Sequence, residues 1–458
     1  MKLKSLFYTI YFCLFSILGC SPDREENSSN SAVINSFSVT KADGTAFSPL
    51  EYSVEIKADS ILVEIPPLES RTNLKINVSY TGSSISPTNS SIVDFSNPVE
   101  ISVFDSNGKV KKYFASVKYK TPKNTIFIGG INYYYALDTQ TGSTKWYFPA
   151  NGSFTYSTAF IKNNVLYVGC TDSYLYALNA STGQLLWKYK TGAGISSSVF
   201  VDNDVVFFGS NDDNFYALDA ITGSLKWKYT TGHNVSSSPK VSQGVVYFGS
   251  DDYYFYALNK EDGSVKWKYY AGDIFNGSGC AIVNNSLFVG NRNGNIYNLN
   301  KLSGEVIWKK NYGSSGEFSS PTISEGSLYQ TDRNYLYKID INSGNIIWQT
   351  NNPNSYYSSP YVSENFVVVN SNAGNLLVLD KSTGSIKWEK TIYPNGAEPI
   401  LVNSTIFTGG GGSSFIYAFS ENGNVLWRSS VVSISTSAPV IIDKDGKIFY
   451  PSNSGGRD

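Results

Sequence analysis

Short apolar runs alternate with Gly-, Asn- and Ser-rich turns along this chain, and from residue 124 onward the alternation is periodic. Residues 237–270 show it well, with the runs SSPKV, VVYFGS, YFYALN and SVKWKYY separated by turn residues. Runs of this length bounded by turns predict strands. Each period therefore predicts four strands, and helical periodicity is nowhere sustained.

One tryptophan marks each period. The eight tryptophans of the chain share one register, with spacings of 39 to 41 residues: Trp146, Trp187, Trp227, Trp267, Trp308, Trp348, Trp388 and Trp427. Seven periods place a glycine four residues before the tryptophan, where a hairpin needs a positive φ, and the eighth keeps Gly423 with one residue fewer. Such an array buries each unit only against its neighbours.

The apolar runs show little alternation, so both faces of each small sheet should be covered by the adjacent sheets. Radial packing of four-stranded units achieves this and protects their edges. The sequence therefore predicts an all-β fold with an eight-bladed β-propeller over residues 124–458. Two readings stay open for its end: SAPVI (437–441) closes the first blade and KIFYPS (447–452) is displaced, or KIFYPS is the stub of a ninth repeat.

A smaller domain precedes the repeats. Residues 33–120 hold about six alternating runs, such as ILVEI and LKINVSY, separated by turn signals including PP and SNG. This layout predicts a small immunoglobulin-like (Ig-like) β-sandwich, which resembles the N-terminal spacer modules of surface lipoproteins. The boundary is placed at TPKN, residues 121–124.

The N-terminus is a targeting segment. Lys2 and Lys4 precede the apolar run LFYTIYFCLFSIL, which is too short to span a bilayer and predicts a signal peptide over residues 1–19. The residues ILGC resemble the lipobox of bacterial lipoproteins, which implies cleavage before Cys20, acylation there and a membrane anchor. Residues 20–32 are polar and predict a flexible tether. Ser21 resembles the outer-membrane sorting choice, so we expect an outer-membrane lipoprotein, periplasmic or surface-exposed.

Charge and composition exclude several classes of function. Removal of residues 1–19 changes the net charge from −1 to −3, which gives no indication of nucleic-acid binding. The single histidine, His233, excludes histidine-rich metal sites and leaves little for a Ser-His-Asp triad. Cys170 and Cys280 lie in different blades, too far apart for a disulfide. We therefore predict no metal site and no catalytic residues.

The repeated phrase also carries a family resemblance. ALDAITGSLKW (217–227) resembles the tryptophan-docking motif of quinoprotein propellers, in which the indole of one blade stacks on the Ala and Gly region of the next. The resemblance implies that the eight tryptophans fasten the blades together. Asn298, Lys338 and Val378 replace the Ala in three repeats, and we expect looser joints there.

Two functional readings follow from the resemblance. Quinone-dependent dehydrogenases of this fold hold pyrroloquinoline quinone (PQQ) against a channel tryptophan, with a calcium ion, an Asp base and a pair of adjacent cysteines. Here no two cysteines are adjacent, and every tryptophan belongs to the repeat register. We therefore predict no cofactor and no enzyme, with a PQQ-dependent dehydrogenase as the alternative. The chain as a whole resembles the scaffold lipoprotein of the outer-membrane β-barrel assembly machinery, which implies a binding role.

A binding face can be assigned from loop length. In a four-stranded blade, the turn between strands two and three and the connection to the next blade emerge on one face, and these loops are longer and more varied. We expect a protein or glycan partner there, because aromatics beside carboxylates suit both ligands. The candidate residues are Asp212, Asp213, His233, Asp251, Asp252, Tyr253, Tyr254, Phe275, Phe318, Tyr356 and Tyr357.

Overall fold

The computed structural model describes residues 32–451, apart from 50, 155–156, 276, 278, 313–318, 352–355, 357, 372–373, 393–397, 411–414 and 431–436. These residues form strands and no helix, so no helix among them is long and apolar enough to cross a membrane. The predicted all-β class is confirmed. The predicted signal peptide, Cys20 and nearly all of the tether lie outside the described residues.

The chain divides into two compact units. One contains the described residues up to Glu64 together with Ser70–Lys118, and the other contains Ile65–Glu69 and the described residues from Tyr119 onward.

The first unit consists of a three-stranded and a five-stranded antiparallel sheet. Their strand orders are β1-β4-β6 and β2-β3-β8-β7-β5. Alternate residues are buried, as in β3 and β4, and the Ile34 N–H donates to the Tyr113 hydroxyl of the other sheet at 3.3 Å. The strands are β1 (Val33–Lys41), β2 (Ser53–Ile56), β3 (Ser60–Ile65), β4 (Leu74–Thr81), β5 (Ser84–Ser86), β6 (Ile92–Val93), β7 (Val99–Phe104) and β8 (Val110–Tyr119).

The second unit contains the tryptophan repeats. Its strands are β9 (Thr125–Gly129), β10 (Ile131–Asp138), β11 (Thr144–Ser153), β12 (Phe160–Lys162), β13 (Val165–Gly169), β14 (Tyr174–Asn179), β15 (Leu185–Lys190), β16 (Phe200–Asp202), β17 (Val205–Gly209), β18 (Asn214–Asp219), β19 (Leu225–Thr230), β20 (Lys240–Ser242), β21 (Val245–Gly249), β22 (Tyr254–Asn259), β23 (Val265–Tyr270), β24 (Ala281–Val283), β25 (Ser286–Gly290), β26 (Asn295–Asn300), β27 (Val306–Asn311), β28 (Thr322–Ser324), β29 (Ser327–Thr331), β30 (Tyr335–Asp340), β31 (Ile346–Asn351), β32 (Tyr361–Val362), β33 (Phe366–Asn370), β34 (Asn375–Asp380), β35 (Ile386–Thr391), β36 (Ile400–Val402), β37 (Thr405–Gly410), β38 (Phe415–Ser420), β39 (Val425–Ser430), β40 (Val440–Ile442) and β41 (Ile448–Phe449).

Within the described residues these strands form eight sheets, which we number in chain order. Sheets two to eight each contain four consecutive antiparallel strands, from β12–β15 in sheet two to β36–β39 in sheet eight. The middle strands are largely buried, whereas the fourth strand alternates between exposed and half-buried residues. Four-stranded sheets with both faces covered and an exposed outer strand are the units of a β-propeller.

Sheet one combines the two ends of this unit. Its strand order is β11-β10-β9-β40-β41, and Val440 of β40 pairs with Phe127 of β9. The segment SAPVI therefore supplies the inner strand, and KIFYPS adds a fifth strand beyond it. The Tyr450 hydroxyl then donates to the carbonyl oxygen of Ile161 in sheet two at 2.7 Å.

Each sheet is fastened to the next by its tryptophan. The eight indole N–H groups donate to backbone carbonyls of the following sheet over 2.7–3.2 Å, and Trp427 of sheet eight returns to Thr139 of sheet one. Each indole also lies against the turn glycine of that sheet: a Cβ at Gly263 would lie 2.6 Å from Trp227 Cε3.

Three joints were expected to be looser. At those of Asn298 and Val378 the contact is slightly wider, because a Cβ at Gly344 or Gly423 would lie 3.1 or 3.0 Å from Cδ2 of the facing tryptophan.

The expected loosening at Lys338 is not seen. Lys338 lies opposite Trp348 in sheet six, yet a Cβ at Gly384 would lie 2.6 Å from Trp348 Cε3, as close as at Gly263. The lysine side chain instead reaches the next sheet, where its Nζ donates to the Lys381 carbonyl at 3.3 Å. A long flexible side chain can be accommodated in this way without separating the sheets.

Candidate functional site

The antiparallel strands sort the loops onto two faces. Turns between the second and third strands, and the connections to the next sheet, share the long-loop face, and the remaining turns share the short-turn face. The described candidate residues lie in the turns of sheets three and four or in connections, except Tyr254, which is the first residue of β22 beside such a turn, so all belong to the long-loop face. Phe318 and Tyr357 lie outside the described residues.

Asp212 and Asp252 tie their turns to the preceding connection. Asp212 Oδ2 accepts hydrogen bonds from the Gly192 N–H and the Tyr216 hydroxyl, both at 2.7 Å. Asp252 repeats the arrangement with Gly232 at 2.8 Å and Tyr256 at 2.6 Å. We call this arrangement the aspartate clasp. The clasp gives both carboxylates a structural role on the predicted binding face.

The clasp depends on an ionised aspartate. Partial burial opposes ionisation of Asp212, but hydrogen bonds from Tyr216, Gly192, Asn214 and Ser210 outweigh it and hold the pKa of the carboxyl below its usual value. Burial, followed by the bond to Asp212, raises the pKa of the Tyr216 hydroxyl, which stays protonated as the donor. These tyrosines were not among the candidate residues, although Tyr recurs four residues after Asp in three repeats.

Asp251 and His233 form a second, more open group. Burial is the main cause that raises the pKa of the Asp251 carboxyl, while the charge of His233, a hydrogen bond from Ser236 and the charge of Arg292 act in the opposite direction. The Ser236 Oγ to Asp251 Oδ1 distance is 3.4 Å. His233 and Arg292 are exposed. Arg292 was not among the candidates; it follows Gly290 by two residues, as Asp251 follows Gly249.

The tyrosines of sheet four form an aromatic patch at the rim. Tyr253 is 43% exposed and packs edge-on against Tyr270, which is 57% exposed. Tyr254 lies 5.1 Å from the Tyr270 ring and carries the Lys268 ammonium 4.4 Å above its own ring centre. Tyr270 adds the largest exposed area to the patch, but it lies in a predicted strand and was not among the candidate residues.

Two candidates are corrected by the structure. Phe275 is fully buried, and Tyr356 is 2% exposed, so neither can contact a partner on this face. A connection packs back over the sheet that it leaves, and its apolar residue fills the space above a glycine of that sheet. A Cβ at Gly249 would lie 2.3 Å from Phe275 Cβ, and Ile195 covers Gly169 in the same way.

The recurrent serines at the start of the inner strands also have a structural role. Ser237 Oγ donates to the Gly249 carbonyl and accepts from its N–H, both at 2.7 Å. Neighbouring serines join adjacent sheets, as where the Ser320 N–H donates to Ser359 Oγ at 3.1 Å. These contacts account for the repeated SSS and SSP phrases without a ligand.

The described residues offer little for metal or thiol chemistry. No group of three or more His, Cys, Asp or Glu among them is arranged to hold a metal ion. Cys170 and Cys280 are free thiols, and burial raises the pKa of each to about 12. A thiol with so high a pKa is a poor nucleophile at neutral pH.

Comparison with solved structures agrees with the propeller architecture. BamB from Moraxella catarrhalis matches with a TM-score of 0.55 and 17% identity, covering 64% of this chain and 95% of that one. The computationally designed Ika8 protein matches at 0.56 and 16%, covering 67% and 93%. Sqt1 of Saccharomyces cerevisiae matches at 0.54 and 13%, covering 61% and 86%. At these identities the likeness shows the fold alone.

Sequence comparison gives a short match and a long one. The quinoprotein ethanol dehydrogenase of Pseudomonas putida is 37% identical over 62 residues, so the match spans 14% of this chain and only a tenth of the enzyme. The family model described as outer membrane protein assembly factor BamB matches residues 132–233, 172–390 and 292–456. Because these matches together cover more than half of the 458 residues, the chain belongs to that family.

Proposed function

We propose that this chain is a non-catalytic scaffold lipoprotein of the outer membrane, whose eight-bladed propeller binds a protein or glycan partner on its long-loop face. The observation that carries the proposal is the continuous set of tryptophan joints, from Trp146 on Ala180 to Trp427 on Thr139, within a member of the BamB family. A lipid on Cys20 anchors the chain, and the N-terminal Ig-like unit acts as a spacer.

A scaffold role agrees with how the repeated residues are used. The indoles, the clasp aspartates and the inner serines are all engaged in contacts that hold the sheets together. What remains for recognition is the rim patch of Tyr253, Tyr254 and Tyr270, together with Asp213, Asp251, His233 and Arg292. Exposed tyrosines beside charged groups provide large contact areas at low entropic cost in protein interfaces, and stacking faces in glycan sites.

The partner class can be decided with one matched pair of variants. Tyr253→Ala/Tyr270→Ala removes the patch, and Leu302→Ala removes an apolar side chain that is 62% exposed on the short-turn face. An affinity pull-down from membranes should lose its partner with the tyrosine variant and keep it with Leu302→Ala. A glycan array run in parallel identifies a sugar ligand instead. If both variants bind like the wild type in both assays, the assignment of this face is wrong.

The anchor has its own test. Radioactive palmitate should label the wild-type chain in cells, and Cys20→Ala should abolish the label. A label that survives the substitution would refute the anchor at Cys20.

The alternative function is a quinone-dependent dehydrogenase, favoured by the 62-residue match to quinoprotein ethanol dehydrogenase. The residues present do not fit the quinone. Every tryptophan indole is engaged at a joint between sheets, and the two free cysteines lie in different sheets. Titration with PQQ and calcium, followed by dye reduction with alcohols and sugars, distinguishes the two functions. Saturable binding with turnover would favour the dehydrogenase.

A further inference from the structure

A cavity opens on the short-turn face where sheet eight meets sheet one, a joint that we call the seam. Its volume is about 660 Å³, and Trp427, Phe407, Val402 and Ile441 contribute an apolar base. A volume of this size is typical of binding pockets. The same joint recurs around the propeller. At two joints the residue equivalent to Thr139 is Ala180 or Ala220, and at two others it is a lysine that occupies the groove.

At the joint between sheets three and four, a side chain of this chain fills the groove. The Lys260 carbonyl accepts the Trp227 indole N–H at 3.0 Å, and the Lys260 side chain crosses the joint to Asp202, with 2.6 Å between Nζ and Oδ2. The joint between sheets six and seven repeats this with Lys381 and Glu325 at 3.0 Å. In both cases a long side chain spans the groove and an acid holds its end.

At the seam both members of that pair are replaced. Thr139 takes the position of Lys260, since its carbonyl accepts the Trp427 indole N–H at 3.0 Å, but its side chain is too short to cross. Val402 takes the position of Asp202, each being the last residue of an inner strand. The seam therefore lacks the crossing side chain and has an apolar residue where an acid would hold an ammonium group.

Asp443 does not restore the missing acid. Its Oδ1 accepts the N–H groups of Asp445 and Lys447 at 2.9 and 3.0 Å within its own turn. Lys444 beside it is exposed. The charges of Asp443 and Lys444 at the rim of the cavity therefore balance. We expect an apolar rather than a cationic side chain to complete the joint.

We propose that the seam cavity takes a long apolar side chain, such as Leu, Met or Phe, from an extended uncharged segment of a partner protein. The side chain would occupy the place that Lys260 fills at its own joint. Asn124, Gln140 and Asn403 line the cavity and carry the amide donors and acceptors that suit a peptide backbone. This site lies opposite the long-loop face, so it does not depend on the function proposed above.

The test uses the full chain with ¹⁵N-labelled tryptophan, read by the eight indole N–H signals and assigned with Trp427→Phe. The probe is acetyl-Gly-Gly-Leu-Gly-Gly-amide, compared with peptides carrying Lys or Ala in place of Leu. We expect the Leu peptide to shift the Trp427 signal selectively and to bind at least about tenfold more tightly than the other two, because only it buries a large apolar side chain.

Two variants test the joint comparison directly. Thr139→Lys/Val402→Asp copies the joint between sheets three and four into the seam and should abolish the shift. Lys260→Thr/Asp202→Val opens the groove between sheets three and four, and the Leu peptide should then shift the Trp227 signal. This second variant tests the proposal even if the first variant does not fold. No selective shift at Trp427, equal binding of the Lys peptide, or an unresponsive Trp227 in the opened variant would overturn the proposal.

Discussion

Sheets four and six dock their neighbours with different side chains. In sheet four, Ala257 lies opposite Trp267, and the Tyr247 hydroxyl and the Trp267 indole both donate to the Lys301 carbonyl at 3.0 Å. In sheet six, the corresponding carbonyl of Lys381 accepts from the Trp348 indole at 3.2 Å and from Lys338 Nζ at 3.3 Å.

The lysine in sheet six lowers stability in a way that does not involve docking. Lys338 takes the place at the carbonyl that a tyrosine fills in sheet four, and the buried Tyr329 hydroxyl has no hydrogen-bond partner among the described residues. The contact between indole and glycine is nevertheless the same: a Cβ at Gly304 or at Gly384 would lie 2.7 Å from Cδ2 of the facing tryptophan. A lysine at the alanine position therefore leaves the contact between indole and glycine unchanged.

Truncation of the joint tryptophans should have the largest effect on the free energy of unfolding. Trp227 and Trp348 are both half-buried and lie equally close to their glycines. We expect Trp227→Ala and Trp348→Ala each to lower the free energy of unfolding by about 2 to 4 kcal/mol, somewhat less than for a fully buried tryptophan. Denaturant midpoints measure both losses. If Trp348→Ala costs less than Trp227→Ala by more than about 1 kcal/mol, the looser joint predicted from the sequence is supported.

The two sheets share the tyrosine-to-aspartate hydrogen bond that is one half of the aspartate clasp. It links Asp252 to Tyr256 at 2.6 Å and Asp332 to Tyr337 at 2.7 Å. For Asp212, whose pKa is lowered in the folded state, the stabilisation is present above the ordinary aspartate pKa near 4 and is lost as pH falls through the folded value.

We therefore expect Asp212→Asn to cost about 1 to 2 kcal/mol at pH 7, allowing for screening by water at a half-exposed site. The difference from wild type should shrink below pH 4. Asp213→Asn is the control, because Asn tolerates the φ of 66° there, and it should change little. Urea melts at several pH values measure both variants, and a loss at Asp212 that is independent of pH would refute the ionised clasp.

Removal of a tyrosine hydroxyl at these joints should have the smallest effect on stability. Tyr247→Phe removes a hydrogen bond across a joint and should cost about 1 kcal/mol. Tyr329→Phe removes a buried hydroxyl that makes no bond, so it should be neutral or slightly stabilising. Thermal unfolding of the two single variants compares them under identical conditions. Equal losses would mean that the Tyr329 hydroxyl has found a partner.

The repeat could be read from the sequence because its determinants are local. The tryptophan spacing, the glycine four residues earlier and the apolar runs all lie within one period, and together they predict the strands and the joints. Lys338 was misjudged because a sequence does not reveal whether a flexible side chain holds two sheets apart or is accommodated between them. KIFYPS stayed ambiguous because only pairing with β40 distinguishes a fifth strand from a ninth repeat.

The candidate site was predictable only in outline. The long-loop face follows from strand order, but the partners of Asp212 and Asp252 lie on connections about twenty residues earlier, and only the assembled sheets bring them together. Loops are exposed as a rule, so Phe275 and Tyr356 were expected at the surface. Phe275 is buried because its connection packs back over the sheet that it leaves, a contact between residues far apart in the sequence that the local pattern does not reveal.

Denaturant unfolding of Gly384→Ala and Lys338→Ala, two variants in the same joint, tests most directly whether the glycine and not Lys338 controls docking. Gly384 has a φ of +74°, and a Cβ there would meet the Trp348 ring at 2.6 Å, so Gly384→Ala should cost about 2 to 4 kcal/mol. Lys338→Ala should change the free energy of unfolding by less than about 0.5 kcal/mol, because the indole contact does not depend on it. A stabilisation above about 1 kcal/mol on Lys338→Ala, or a cost below that value on Gly384→Ala, would contradict the account.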